Sequence, residues 1–168
     1  MRICMISGEY PPMQGGVGDY AAHIAKHLAA QGMAVAVATA AGARTGLGDE
    51  RGNPQVWRHV RRWGYGALRE VRSDALRWGA DVVHVQYQAA AFAMHPAANL
   101  TCLLLRGAAR MPRVVVTFHD LKVPYLFPKA GALRRLAVVL LAATADACIV
   151  TNAEDADALR KHRLGRCA

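Results

Sequence analysis

No apolar run in this sequence reaches the roughly 18 residues that cross a bilayer. The longest candidate, Ala137 to Val150, is interrupted by Asp146. The opening Met-Arg-Ile-Cys-Met-Ile-Ser is too short for the core of a signal peptide and reads as a first β-strand. A cytoplasmic location is expected. Cysteine chemistry is equally sparse. Cys4, Cys102, Cys148 and Cys167 are scattered, with no C-x-x-C pair and no histidine at zinc-ligand spacing. Neither a disulfide framework nor a metal centre is expected, and Cys4 and Cys148 fall in predicted strands, where a free thiol acts as a small apolar group. Repeats, linkers and low-complexity segments are also lacking, so residues 1–168 are expected to form a single domain.

What is present is an apolar, basic chain. Hydrophobic residues make up 54% of it and mean hydropathy is +0.11, which excludes a disordered chain. The net charge of +9 invites an anionic partner: a nucleic acid, a phosphorylated substrate or a membrane surface. Only Lys26, Lys122, Lys129 and Lys161 are lysines, so arginine carries most of that charge. An arginine bias that follows a GC-rich coding sequence, or a solvated face, explains the excess equally well.

Apolar runs of strand length alternate with segments of helical period. Strands are predicted at Arg2–Ser7, Met33–Ala40, Val56–Val60, Asp81–Gln86, Arg113–Phe118 and Ala147–Thr151. Helices are predicted at Asp19–Gln31, Gly64–Trp78, about Ala97–Ala109 after Pro96, and Leu133–Ala143. A last helix is capped by Asn152 with Asp155 in its first turn. Residues Ala41–Pro54 read as a polar, Gly-rich connection. Nearly continuous apolar strands separated by helices indicate a parallel sheet covered on both faces. The fold class is α/β, Rossmann-like and doubly wound. In such sheets ligands bind beyond the carboxyl ends of the strands, so residues following Ser7, Gln86, Phe118 and Thr151 should share one rim.

Two motifs fall on that rim. Gly8-Glu9-Tyr10-Pro11-Pro12-Met13-Gln14-Gly15-Gly16-Val17-Gly18-Asp19 places three glycines just before a helix, where backbone N–H groups can meet an anion. Gly16, Gly18 and Ala21 satisfy a dinucleotide fingerprint, but eight residues separate Ser7 from Gly16 and the second strand lacks a terminal acidic residue. Glycines serving only a tight turn are the bland alternative. The second motif, Thr117-Phe118-His119-Asp120-Leu121, puts a histidine at a strand's carboxyl end, suited to a phosphate or hydroxyl or else bonded to backbone. His84 lies inside its strand and reads as a satisfied core histidine, followed by Gln86, Tyr87 and Gln88. No catalytic triad or carboxylate pair stands out. Glu9, Asp19 and Asp120 are the acidic groups that could converge.

These residues carry a resemblance. The opening Ile-Ser-Gly-Glu-Tyr-Pro-Pro…Gly-Gly-Val-Gly-Asp-Tyr, then Asp81-Val-Val-His-Val-Gln, Thr117-Phe-His-Asp and Ala145-Asp-Ala-Cys-Ile-Val-Thr-Asn152, resemble in order the N-terminal domain of family-four retaining glycosyltransferases. The resemblance implies the N-terminal half of a GT-B architecture, with a nucleotide-sugar donor held mainly by a second domain. It implies that Gly15, Gly16 and Val17 line the donor diphosphate and sugar, and that His119 contacts the transferring sugar or its phosphate. Asp19, Tyr20, Gln86, Tyr87 and Asp120 would face an unknown glycan, lipid or small-molecule acceptor. No metal or other cofactor is implied. The leaving phosphate would help deprotonate the acceptor, so the protein would act by positioning and charge stabilisation.

The family's donor domain carries a spaced pair of glutamates and a basic pair. Glu9, Glu50, Glu70 and Glu154 provide no such pair. The C-terminal donor-binding domain is therefore expected to be missing from this chain, which would need that half or a complementary subunit and be inactive alone. Many members of the family act on lipid acceptors, and Trp57, Arg58, Arg61, Arg62 and Trp63 would suit peripheral contact with an anionic membrane at its inner face. A non-catalytic Rossmann-like module for a phosphorylated ligand or partner protein is the alternative. Nucleic acid is not an expected partner, since no recognisable binding motif is present.

Overall fold

The structure, a computed structural model, describes residues 1–42, 48–50, 53–105, 112–120 and 131–161. In chain order they form β1 (Arg2–Ser7), α1 (Gly16–Ala30), β2 (Ala34–Ala40), β3 (Gly48–Glu50), β4 (Gln55–Val60), α2 (Tyr65–Trp78) and β5 (Val82–Tyr87). A 3-10 turn (Pro96–Leu100) then leads into α3 (Thr101–Leu105), β6 (Arg113–Phe118), α4 (Gly131–Thr144), β7 (Ala147–Val150) and α5 (Ala153–Lys161). The described strands make one sheet, ordered β3-β4-β2-β1-β5-β6-β7. All neighbours pair in parallel except β3, which runs antiparallel along the outer edge of β4. The chain is thus Rossmann-like and α/β, as its strand and helix alternation predicts.

Alternate strand residues enter two cores, because successive side chains point to opposite faces. Cys4, Ile6, Ala36, Ala38, Val83 and Val85 join one cluster with Leu68 and Val71 of α2 and Leu141 of α4. Met5, Val35 and Val37 join the other, with Ala21, Ala22 and Ala25 of α1. Cys4, Cys102 and Cys148 are buried, and burial, followed by the charge of Asp74, pushes the Cys4 thiol up to about 12. Cys167 lies outside the described residues, as do Leu121, Lys122, Lys129 and the end of the predicted 97–109 helix.

Two local readings change. The connection over 41–54 contains β3, whose three residues are too few to show a period and are held by pairing with Val56, Trp57 and Arg58. Helix α1 begins at Gly16 rather than Asp19. Its N-cap, Gly15, has no side chain to bond the first amides, so no local capping residue marks the start. By contrast, Asn152 caps α5 as predicted: its Oδ1 accepts from Asp155 N at 2.8 Å and its amide donates to the Asp155 carboxylate at 2.8 Å.

At the amino ends of the strands, polar side chains secure the register. Asn53 accepts from Val35 N at 2.9 Å, Asp81 from Arg2 N at 2.8 Å, and Asp146 from Val114 N at 2.8 Å. Each residue precedes one strand and bonds an early N–H of its neighbour. Removing the carboxylate in Asp146→Ala strands a partly buried amide and is expected to lower unfolding free energy by roughly 1–3 kcal/mol. Urea unfolding at pH 7 measures this. An unchanged midpoint would mean the contact adds nothing to the register.

Candidate functional site

The sheet order reverses at β1, from which the chain proceeds outward through β2 on one side and β5 on the other. Loops diverge at such a point and leave a crevice beyond the carboxyl ends. Three segments meet there: the loop entering α1, residues 88–95 after β5, and His119-Asp120 after β6. Gly8 permits the first two to touch, since a Cβ on it would lie 2.3 Å from the Ala91 carbonyl oxygen. Trp63 secures the contact. Its indole N–H donates to the Gly8 oxygen at 3.2 Å, and its ring meets Phe92 edge-on at 4.7 Å between centroids.

This packing corrects the reading of Trp57, Arg58 and Trp63 as membrane-facing groups, since all three are buried. Trp57 packs edge-on against Trp78, while Arg58 lies over the Tyr10 ring and donates to the Pro11 carbonyl. The reason is that the β4–α2 segment closes over the first loop instead of projecting from it. Arg61 and Arg62 do remain exposed. With His59, Gly66, Ala67 and Glu70 they line an open cavity of about 290 Å³.

At the N-terminus of α1 the acceptor is supplied by Glu9. Its Oε1 takes a hydrogen bond from Gly18 N at 3.2 Å. The carboxylate lies against Gly15, where a Cβ would come within 2.0 Å of it. A side chain at position 15 would therefore push the Glu9 carboxylate away from Gly18, a dependence that spacing alone does not reveal. Gly16 is exposed and Val17 is buried beside it.

His119 sits half-buried just beyond β6, its backbone N–H donating to the Tyr87 carbonyl at 3.1 Å. The Tyr20 ring of α1 meets it edge-on, with centroids 4.8 Å apart. Asp19 and Asp120 are exposed nearby in sequence. Gln86 and Tyr87, expected to face an acceptor, lie behind this surface. The Tyr87 hydroxyl donates to Asn99 Oδ1 at 2.6 Å, and Gln86 is fully buried.

A buried polar chain lies beneath His119. Register places Ser7, Gln86 and Thr117 in one row, with His84 beside Met5 on the same face. His84 Nε2 lies 2.8 Å from Thr117 Oγ1 and 3.1 Å from the Gln86 amide nitrogen, and Gln86 Oε1 lies 2.9 Å from His119 Nε2. His84 is thus the satisfied core histidine its position predicts, but its partners lead to the rim. The sequence signal was present: on this face β1 ends in Ser7, β5 carries His84 and Gln86, and β6 carries Thr117 near its carboxyl end. Among the described residues, no cluster of three His, Cys, Asp or Glu side chains could hold a metal ion, and no helix is long and apolar enough to cross a membrane.

A model of the family described as Glycosyltransferase Family 4 matches residues 14–166. No curated protein matches the chain. Its fold is similar to that of an alpha-glucosyltransferase solved in complex with UDP and a 13-mer DNA containing a HMU base. The two share 18% identity and a TM-score of 0.56, covering 100% of this chain and 40% of the other. An alpha-glucosyltransferase (AGT) in complex with UDP is similar at 20% identity and a TM-score of 0.51, covering 89% of this chain and 35% of its own. The chain therefore spans well under half the length of these structures.

Burial, then the neighbouring His119, lowers the His84 imidazole to about 4, and burial also lowers His119. Both rings are neutral in the folded state at pH 7, and unfolding binds protons wherever the unfolded rings are charged. Stability is therefore full above the ordinary histidine value and falls as pH drops from about 6.5 toward 4. For His84 the loss is expected to reach roughly 3 kcal/mol at the acid end. Urea unfolding of the wild type and His84→Gln at pH 7 and pH 4.5 tests it: the wild type should lose more stability than the variant. Parallel losses would show that His84 is not the group responsible.

Proposed function

The chain belongs to glycosyltransferase family 4, and from that premise we propose that it is the acceptor-side domain of an enzyme that moves a sugar from a nucleotide-sugar donor with retention of configuration. It does not complete the transfer alone. The observation that carries this reading is His119, held half-buried between Tyr20 and Gln86 at the carboxyl end of β6, two strands along from the reversal at β1. A neutral, fixed imidazole at that place contacts the sugar being transferred and orders it without the reorganisation that a mobile side chain would require.

Gly15, Gly16 and Val17 approach the donor's diphosphate and sugar through backbone groups at the start of α1. Asp19, Tyr20 and Asp120 border the acceptor's path, while Gln86 and Tyr87 act from behind it. UDP in both similar structures supports a nucleoside diphosphate as the leaving group. The donor's base and most of its phosphate contacts belong to a C-terminal half or a complementary subunit, and no metal takes part. The acceptor is a glycan, a lipid or a small molecule. The protein works in the cytoplasm, and a lipid acceptor would bring Arg61 and Arg62 to the inner face of the membrane.

The test is transfer of radiolabelled sugar from nucleotide-sugar donors, with the chain alone and mixed with a donor-binding half of the same family. Product is expected only in the mixture. His119→Ala should lower its rate on the order of a hundredfold, the scale of losing one transition-state contact. Turnover by the chain alone would overturn its dependence on a second half. Absence of transfer in every mixture would favour a non-catalytic module, and micromolar binding of a nicotinamide cofactor would move the chain to another class.

A further inference from the structure

We propose that Gln86 is a positioning residue whose amide sets complementary tautomers on the two histidines it joins: His84 protonated on Nδ1, and His119 protonated on Nε2. Its value for catalysis rests on the transferase reading above, but the tautomers themselves do not.

An amide has a donating end and an accepting end, and both are used here. The Gln86 nitrogen is 3.1 Å from His84 Nε2, so that ring nitrogen must accept. The Thr117 hydroxyl, 2.8 Å from the same nitrogen, can share that nitrogen's one lone pair as a second donor. The Gln86 oxygen is 2.9 Å from His119 Nε2, which must therefore carry a hydrogen and donate it. Gln86 and Thr117 have no solvent exposure and His84 has 8%, so water does not offer an alternative set of partners.

The consequence at the rim is specific. His119 spends its Nε2 hydrogen on Gln86, leaving Nδ1 as the ring nitrogen that remains, a hydrogen-bond acceptor while the ring is neutral. Among the described residues, the groups that face His119 are Tyr20 from α1 and Gln86, with His84 behind it, from β5, and Asp120 follows it in the chain. Were the amide reversed, it would donate to His119 Nε2 and leave the hydrogen on Nδ1. The ring would then offer a donor where it now offers an acceptor. One buried amide thus decides the sign of the contact His119 makes.

Long-range ¹H–¹⁵N correlation spectra of the histidine-labelled chain at pH 7 test this without any sugar transfer. The wild type should show His84 as the Nδ1–H tautomer and His119 as the Nε2–H tautomer, with an Nε2 proton protected from exchange. In Gln86→Leu that protection should fall by roughly tenfold, the effect of one net hydrogen bond. In Gln86→Glu both carboxylate oxygens accept, so His119 should keep its Nε2 hydrogen while His84 moves its hydrogen to Nε2. The proposal is overturned if wild-type His84 is protonated on Nε2, if His119 is protonated on Nδ1, or if Gln86→Leu leaves His119 protected. The wild-type spectrum decides even if Gln86→Leu fails to fold. Wrong tautomers in a chain that supports transfer would remove this proposal alone. Correct tautomers without transfer would leave it standing and remove the transferase reading.

Discussion

A side chain in the middle of this sheet has a strand on either hand and a layer of helices over its face. That constraint governs the rest of the molecule. Apolar residues satisfy it easily, and β1, β2, β5 and β6 are composed mainly of them. A polar side chain there has no water to turn to and must find its partners among its neighbours. Gln86 and Thr117 meet it together with His84, in a chain that ends only where His119 reaches half-exposed ground. The rim histidine is thus tied, through its ring nitrogen, to an amide buried in the sheet.

The same sheet separates two tasks by end. Its amino ends carry Asn53, Asp81 and Asp146, which hold neighbouring strands in step. Its carboxyl ends carry the glycine loop, His119 and the segment after β5, which meet where the strand order reverses. The alignment is thus secured on the side opposite the crevice, and residues at the crevice are released from that duty. This makes the sheet a wall braced on the side away from the crevice.

Much of the wall was legible in the sequence. β1 and β6 have the bounds their apolar runs predict, and the capping pair Asn152 and Asp155 declared α5 because its chemistry is local. The start of α1 was not legible, because its acceptor comes from Glu9 and not from the residue before the helix. Trp57, Arg58 and Trp63 looked like surface groups because one sequence does not show which loop lies over another. Gln86 looked available to a ligand because its position at a strand end was visible and its two histidine partners were not. In each case local pattern gave the element, and contacts between distant segments decided what its side chains do.

Glu9 has a consequence of another kind. The amino end of α1 already holds a carboxylate, in contact with Gly15 and bonded to Gly18. An anion arriving there does not enter a vacant field; it exchanges with a resident. What it gains is the difference between two negative groups on one helix end, not the full attraction of the dipole. Stray phosphate gains little from such a place. A ligand must bring further contacts of its own before it can displace the carboxylate, so the helix end works as a threshold as well as a lure.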